Sequence, residues 1–501
     1  MRPGRHLTLA ASVTGAVIVA LDGTVLTIAQ PALQRDLHAS FAQVQWTSTG
    51  YLIAVAALLV LAGRLGDRYG HREVFAAGTL GFAATSAAIA LAPGIGWVIG
   101  LRVAQGLFGA LLQPATLGML RAAFPADRLA MAIAVRSSAI GLAAAAGPLL
   151  GGALTAHFGW RSVFLLNVAP ALAIGVAALA ARVPAPRGPG AGVDASAKAG
   201  AGGNTVRLGL TGACLLAAAL AGLVHTLVEV PRTGWTVGTA LGLTAAVAAG
   251  GAFVQHQRVA AHPLIPRHVL ASGALTAALA VLLAASAAMF GALFVGSYFL
   301  QEVLALDPLQ SGLRVLPLAV MMVVGAPVAA VLVRRQGPRR TALAAMALVS
   351  SGMLLLAGVD RSAAPVAMAG AFLVLGAGFG TVMVTATAVV VQQGSADDAG
   401  VSGGLKQTIM NIGPALGIAL ATTSITLIAP GLAAGQAGDG GSRWTAAAFG
   451  GAMGPTLLLL AAVAALGVPA AVRLPSRATD PVSQPADRGG GPPPQAGVSR
   501  S

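Results

Sequence analysis

The sequence predicts an all-α integral membrane protein with fourteen transmembrane helices, arranged as two six-helix bundles with two extra linker helices between them. Composition is the first observation: the 501 residues are 56% hydrophobic and 9% charged, with a mean hydropathy of +0.82, whereas a soluble domain carries about 25% charged residues. Repetition is the second: apolar stretches of about 20 residues, enough to cross ~30 Å of hydrocarbon, recur along the chain. The third is the placing of polar stretches. A Pro-, Gly- and Ala-rich segment at 184–204 follows six apolar stretches, and a Pro-, Gly- and Ser-rich one runs from Pro475 to the end.

In order, the apolar segments are 7–29, 46–65, 74–92, 97–120, 130–155, 160–181, 208–229, 235–255, 275–303, 312–333, 341–359, 364–391, 403–429 and 444–473. The first begins behind Arg2 and Arg5 and runs past Asp22 without an A-x-A-like cleavage site, so it reads as a retained helix rather than a signal peptide. The domain organisation that follows is a six-helix bundle over 1–181, a flexible cytoplasmic linker over 182–207, two additional helices over 208–256, a second six-helix bundle over 257–474 and a disordered cytoplasmic tail over 475–501. Lys and Arg concentrate on cytoplasmic loops. With the N-terminus inside, Arg35, Arg161, Arg232, Arg314, Arg361 and Arg443 fall outside, Arg102 and Arg136 fall within helices, and the remaining basic residues fall inside. This asymmetry puts both termini in the cytoplasm and the chain in the inner cell membrane. The net charge of +15 is scattered in small groups rather than gathered on a patch, which argues against nucleic acid. Cys214 is the single cysteine, so there is no disulfide framework or cysteine metal site.

Two features go beyond topology. Asp22 lies midway along the first apolar segment, and an ionised carboxylate at the bilayer centre costs ~2.5–3.5 kcal/mol on insertion scales, so it marks a functional site by default. The second is a weak internal repeat. After the second helix the chain reads Gly63-Arg64-Leu65-Gly66-Asp67-Arg68-Tyr69-Gly70-His71-Arg72, and after the tenth it reads Val331 to Arg340; aligning Gly70 with Gly337 also aligns Arg68 with Arg335 and Arg72 with Arg339. Both stretches read as short basic loops that reverse the chain at glycines, with Asp67 available to a neighbouring arginine or a helix dipole.

The spacing Gly63-x-Leu65-x-Asp67-Arg68-x-Gly70-x-Arg72 resembles the signature loop of the major facilitator superfamily. Further stretches are similar to its fourteen-helix drug:proton antiporter branch: Leu21-Asp22-Gly23-Thr24-Val25 through Pro31, Arg102 to Ala110, Gly147-Pro148-Leu149-Leu150-Gly151-Gly152, Trp160 to Asn167, Tyr298 to Gln301, and Ser311 to Pro317. The resemblance covers nearly the whole chain outside the linker and tail. It implies the superfamily's two-bundle fold, proton coupling through Asp22 and Arg102, a gating loop of Gly63, Asp67, Arg68, Gly70 and Arg72, and an antiporter motif of Gly147, Pro148, Gly151 and Gly152 that favours export. It also implies a monomer that works in the lipid bilayer with protons and a small-molecule substrate, driven by the proton gradient without a cofactor or metal.

The residues support a physical reading of the same positions. Arg102, a permanent cation about one turn inside its helix, must face a cavity or a partner. Gly147-Pro148 and Gly151-Gly152 make a kinked, small-residue face for close helix packing. Gln113, Asn167, Gln301, Gln392, Gln407 and Asn411 either line a substrate path or hydrogen-bond between helices, the commoner role for any single amide; Thr24, Gln105 and Arg136 join Gln113, Gln301 and Asn411 as candidate path residues. Arg136 departs from the family pattern, and facing the cavity it would favour anionic or neutral cargo. Thr27 and Gln30 are departures in the first-helix motif, and Arg334 stands where the first loop has Asp67.

The expected function is proton-coupled export of drugs, antibiotics or other small amphipathic molecules by alternating access. The alternative on the same fold is transport of one specific metabolite, either export of a self-made product or uptake of a nutrient. An ATP-driven pump needs Lys followed by Ser or Thr after a glycine-rich turn, but Ala199 follows Lys198 and Gln407 follows Lys406. No HExxH or Ser/His/Asp constellation points to an enzyme.

Overall fold

A computed structural model describes residues 3–180, 210–260, 272–359, 365–393, 399–429 and 446–476. The expected linker at 182–207 and the tail beyond its first two residues lie outside the described residues. The helices are α1 (Pro3–Asp36), α2 (Phe41–Tyr69), α3 (His71–Ala90), α4 (Ile95–Ala123), α5 (Ala126–Phe158), α6 (Arg161–Ala180), α7 (Leu210–Thr233), α8 (Val237–Val259), α9 (Gly273–Tyr298), α10 (Pro308–Ala357), α11 (Pro365–Gln393), α12 (Ala399–Ile428), α13 (Ala446–Ala465) and the short α14 (Gly467–Val472). A π-helical turn, Phe299–Val303, continues α9. Among the described residues, ten helices are long and apolar enough to cross a membrane. The chain is a multi-pass membrane protein.

Local chemistry sets several starts. Ser40 accepts from the Gln43 amide while the Gln43 side chain accepts from the Ser40 amide, a capping box that opens α2. Thr236 and Thr239 do the same for α8, and Asp307 caps α10 through the Gln310 amide at 2.8 Å, with Pro308 in the first turn. Between the caps, side chains are apolar on nearly every face because they meet either other helices or lipid. Central α9 is buried along almost its whole length, whereas Leu241, Val247 and Val254 of α8 are exposed.

Helices α1 to α6 pack together through α1 on α5, α2 on α4, and α3 on both α4 and α6. Helices α9 to α14 pack around α9, with Phe294, Tyr298, Met346, Phe372 and Phe449 in one apolar core. The two groups meet where α5 lies on α10 and where α2 lies on α12, while α7 pairs with α8 and rests on α2 and α12. Phe41 of α2 reaches into the second core, 5.0 Å from Phe294 and 4.9 Å from Tyr298 between ring centroids.

The stretch from Gly63 to Arg72, expected as a loop, is mostly helix. Helix α2 runs to Tyr69 and α3 starts at His71, so the reversal needs one residue, Gly70, with φ +98° and ψ 131°. Gly66 serves contact rather than turning: a Cβ there would collide with the His71 ring. Gly337, its aligned counterpart, has φ +81° and ψ 163° and breaks α10 into two limbs. Leu318 and Val349, on opposite sides of the break, lie against Gly376 and Gly378 of α11. A straight helix would hold them about 45 Å apart, so the limbs double back on each other. The two loop stretches therefore share a backbone conformation found almost only at glycine. The face of the bundle holding these reversals is the basic end, carrying Arg64, Arg68, Arg72, Arg334, Arg335, Arg339 and Arg340.

Gly70→Ala and Gly337→Ala each add a side chain to this backbone, at a cost of about 1–3 kcal/mol, and both lower the unfolding temperature of the detergent-purified protein. Gly251→Ala on α8, where a Cβ meets nothing within 4 Å, leaves it within about 0.5 kcal/mol of the parent.

Candidate functional site: a buried ion pair in the first helix group

Asp22 and Arg102 are 2% and 1% exposed. Arg102 Nη1 donates to Asp22 Oδ2 at 2.5 Å and to Gln105 Oε1 at 2.5 Å, and its Nε donates to the Thr47 carbonyl at 2.8 Å. The guanidinium carbon lies 4.2 Å from the centre of the Tyr51 ring and 5.7 Å from that of Phe164. The second carboxylate oxygen of Asp22 accepts from Asn167 Nδ2 at 3.1 Å and, more weakly, from Gln105 Nε2 at 3.4 Å; Gln105 also donates to Ser86 Oγ at 2.7 Å. Taking each ion out of water costs several kcal/mol, repaid only when pairing geometry is good and the remaining polar atoms are satisfied. Here α1, α2, α3, α4 and α6 each supply a group toward that end. Gly106 lets α4 come this close, since a Cβ there would stand 2.6 Å from the Tyr51 carbonyl. Beside the pair the structure opens: a Cβ on Gly23 would meet nothing within 4 Å.

The glycines of the fifth-helix motif join this site to the second helix group. A Cβ at Gly147 would strike Thr24, and one at Gly151 would stand 2.5 Å from the Val25 carbonyl, both on α1. On the adjoining face, Gly152 lies against the Pro308 carbonyl, and Gly312 of α10 returns the contact, its Cβ position 2.5 Å from the Pro148 carbonyl. Helix α5 is thus pressed between the helix bearing Asp22 and the start of α10. Nearby, Gln301 Nε2 donates to the Ile28 carbonyl at 2.8 Å, and Arg35 stands 3.8 Å from Glu302. All these contacts between groups lie toward the end opposite the basic one.

The other expected site residues are spread out. Thr24 donates to the carbonyls of Ala20 and Leu21 in its own helix, and Asn411 to that of Gln407. Gln113 is partly buried two turns beyond Gln105. At the basic end, Arg72 donates to the last carbonyls of α6, Ala178 and Leu179, fastening α3 to α6, and Arg68 lies 5.2 Å over the Tyr69 ring. The side chains of Asp67 and Gln392 lie outside the described part. Arg136 is 6% exposed, and its Nε has no hydrogen-bond partner.

Sequence reasoning missed Thr47, Tyr51 and Ser86. The hydroxyl-rich run from Thr47 to Tyr51 inside an apolar helix was the available signal for Tyr51; Thr47 contributes only its backbone carbonyl, which no residue type announces. Lys406, assigned from sequence to the inside loops, instead lies within α12 and donates to Thr387 Oγ1 of α11 at 2.6 Å. Its nearness to the helix start made it look like a topology signal.

The comparisons agree with this architecture. The model of the Major Facilitator Superfamily matches residues 13–418. The chain is 40% identical over 407 residues to the tetracenomycin C resistance and export protein of Streptomyces glaucescens, covering 81% of this chain and 73% of that one. It is 31% identical over 418 residues to a puromycin resistance protein of Streptomyces alboniger, covering 82% and 80%, and 28% identical over 402 residues to a multidrug efflux pump of Mycolicibacterium smegmatis, covering 79% and 76%. Among solved structures, a bacterial homolog of the human lysosomal transporter Spinster superposes with a TM-score of 0.66 at 14% identity, over 95% of this chain and 98% of that one. With the family matched over most of its length and its fold shared with solved transporters, the chain is a transporter rather than an enzyme and belongs to the Major Facilitator Superfamily.

Proposed function

We propose that the protein is a proton-coupled exporter of drugs, antibiotics or other small amphipathic molecules, of the fourteen-helix antiporter type, working by alternating access across the cytoplasmic membrane. The observation that carries the reading is the buried pair of Asp22 and Arg102. Protonating Asp22 removes the charge that balances Arg102, so proton binding changes which packing of α1, α4 and α6 is favoured. Alternating exposure of Asp22 to the two sides then loads a proton from one side and releases it to the other.

Fourteen crossings are supported by adding α2, α5 and α7, and by counting the limbs of α10 separately. Two six-helix halves, the added pair α7 and α8, cytoplasmic termini and a basic-end gate at the α2–α3 turn complete the arrangement. Export is favoured by relatives named for resistance, export and efflux, and by the fifth-helix motif. A second reading, export of one self-made product, is favoured by relatives named for single antibiotics.

In reconstituted vesicles energised only by a pH gradient, Asp22→Asn reduces export to the protein-free background while the variant inserts at the parental level; undiminished transport would overturn proton coupling through Asp22. Arg102→Ala, which strands the carboxylate, costs about 3–5 kcal/mol of stability, read as earlier thermal unfolding in detergent. A susceptibility panel in a pump-deficient host separates the two cargo readings. Protection against structurally unrelated compounds, lost in Asp22→Asn, indicates broad efflux; protection against one compound class indicates a dedicated exporter.

A further inference from the structure

Within the bundle, the described residues include two cations that the buried ion pair does not use, Arg136 buried and Lys406 partly buried. Arg136 sits ten residues into α5, about 15 Å along the helix, and Lys406 seven residues into α12, about 10 Å along it. Both helices start at the basic end, so the two residues lie at similar depth in opposite helix groups. Arg136 is 6% exposed with an unpartnered Nε, and it takes part in none of the ion pairs among the described residues. Lys406 donates to the Thr387 hydroxyl, which donates onward to the Met383 carbonyl at 2.7 Å. That chain satisfies one ammonium proton and supplies no negative charge. The two are close enough for the charge of Arg136 to act on Lys406.

A cation held out of water without a counter-charge is costly, and two within range of each other repel. A guanidinium offers paired N–H donors to an oxyanion and an ammonium offers a compact positive charge. We propose that Arg136 and Lys406 form a two-sided subsite for an oxyanion on the cargo, so that the transporter prefers amphipathic molecules bearing a carboxylate or a comparable acidic group. This rests on the exporter reading and specifies the cargo class within it. With the anion in place the repulsion between α5 and α12 becomes attraction, and the two helix groups are drawn together at the basic end. Cargo binding thereby favours closure on that side.

The test uses purified full-length protein in nanodiscs of zwitterionic lipid and two probes of matched shape, 1-pyrenebutyrate and 1-pyrenebutyramide, with binding followed by fluorescence. The carboxylate is expected to bind at least tenfold more tightly than the amide. Arg136→Gln and Lys406→Gln each remove most of that preference, and the double variant removes it. Asp22→Asn retains it, so loss of proton-driven export and loss of anion preference are separate results. Arg136→Met, which removes a cation with no ion-pair partner among the described residues, raises the unfolding temperature of the ligand-free protein; a purely structural role for Arg136 predicts a fall. Absent carboxylate binding, equal binding of the two probes, or an unchanged preference in both glutamine variants overturns the proposal. So does abolition of the preference by added anionic lipid, which would assign the subsite to a headgroup.

Discussion

The need to compensate a carboxylate and a guanidinium enclosed together organises the first helix group. Neither ion of the Asp22–Arg102 pair has appreciable solvent access, so the protein must supply what water would. It does so from four helices: a carbonyl from α2, an amide from α4 with a hydroxyl from α3 behind it, an amide from α6, and aromatic faces from α2 and α6 against the guanidinium. The small residues nearby follow from the same demand. Gly106 brings α4 onto α2, and Gly147 and Gly151 bring α5 onto α1. A network satisfied from so many elements is sensitive to removal of one charge, because the groups that served the ion pair do not serve a lone ion equally well.

Much of this was legible because charge in an apolar segment is rare. Asp22 and Arg102 stand out against their surroundings without any knowledge of the fold. The reversals at Gly70 and Gly337 were legible as a pair because the arginines around them align, and both glycines adopt a positive φ. What sequence could not supply is helix phase. Gln105 and Gln113 are both amides on α4, yet only Gln105 is seen to bond Asp22; Asn411, equally polar, turns back onto its own helix. Gly66 looked like a turn residue because glycine serves both turning and close approach, and only the neighbour, His71, decides between them.

Lys406 shows the same limit for charge. Positive residues near helix starts are ordinarily topology signals, and a cation seven residues into α12 lies at the margin where that rule and a buried role overlap. The hydroxyl of Thr387 on the next helix distinguishes them, since it holds the ammonium inward.

Helix α5 connects these features. Toward one end it is pinned by glycine contacts on both sides, to α1 at Thr24 and Val25 and to α10 at Pro308. Toward the basic end it carries Arg136, sixteen residues from Gly152 and therefore about 24 Å away along the helix. Pro148 lies between them and removes the hydrogen bond to the Ala144 carbonyl, leaving a point where the helix bends at low cost. The helix is thus held closely at one end and, near the other, bears a cation with no ion-pair partner among the described residues. In the proposed exporter, a shift of α1 on protonation of Asp22 would reach α5 at this pinned end, through Thr24 and Val25.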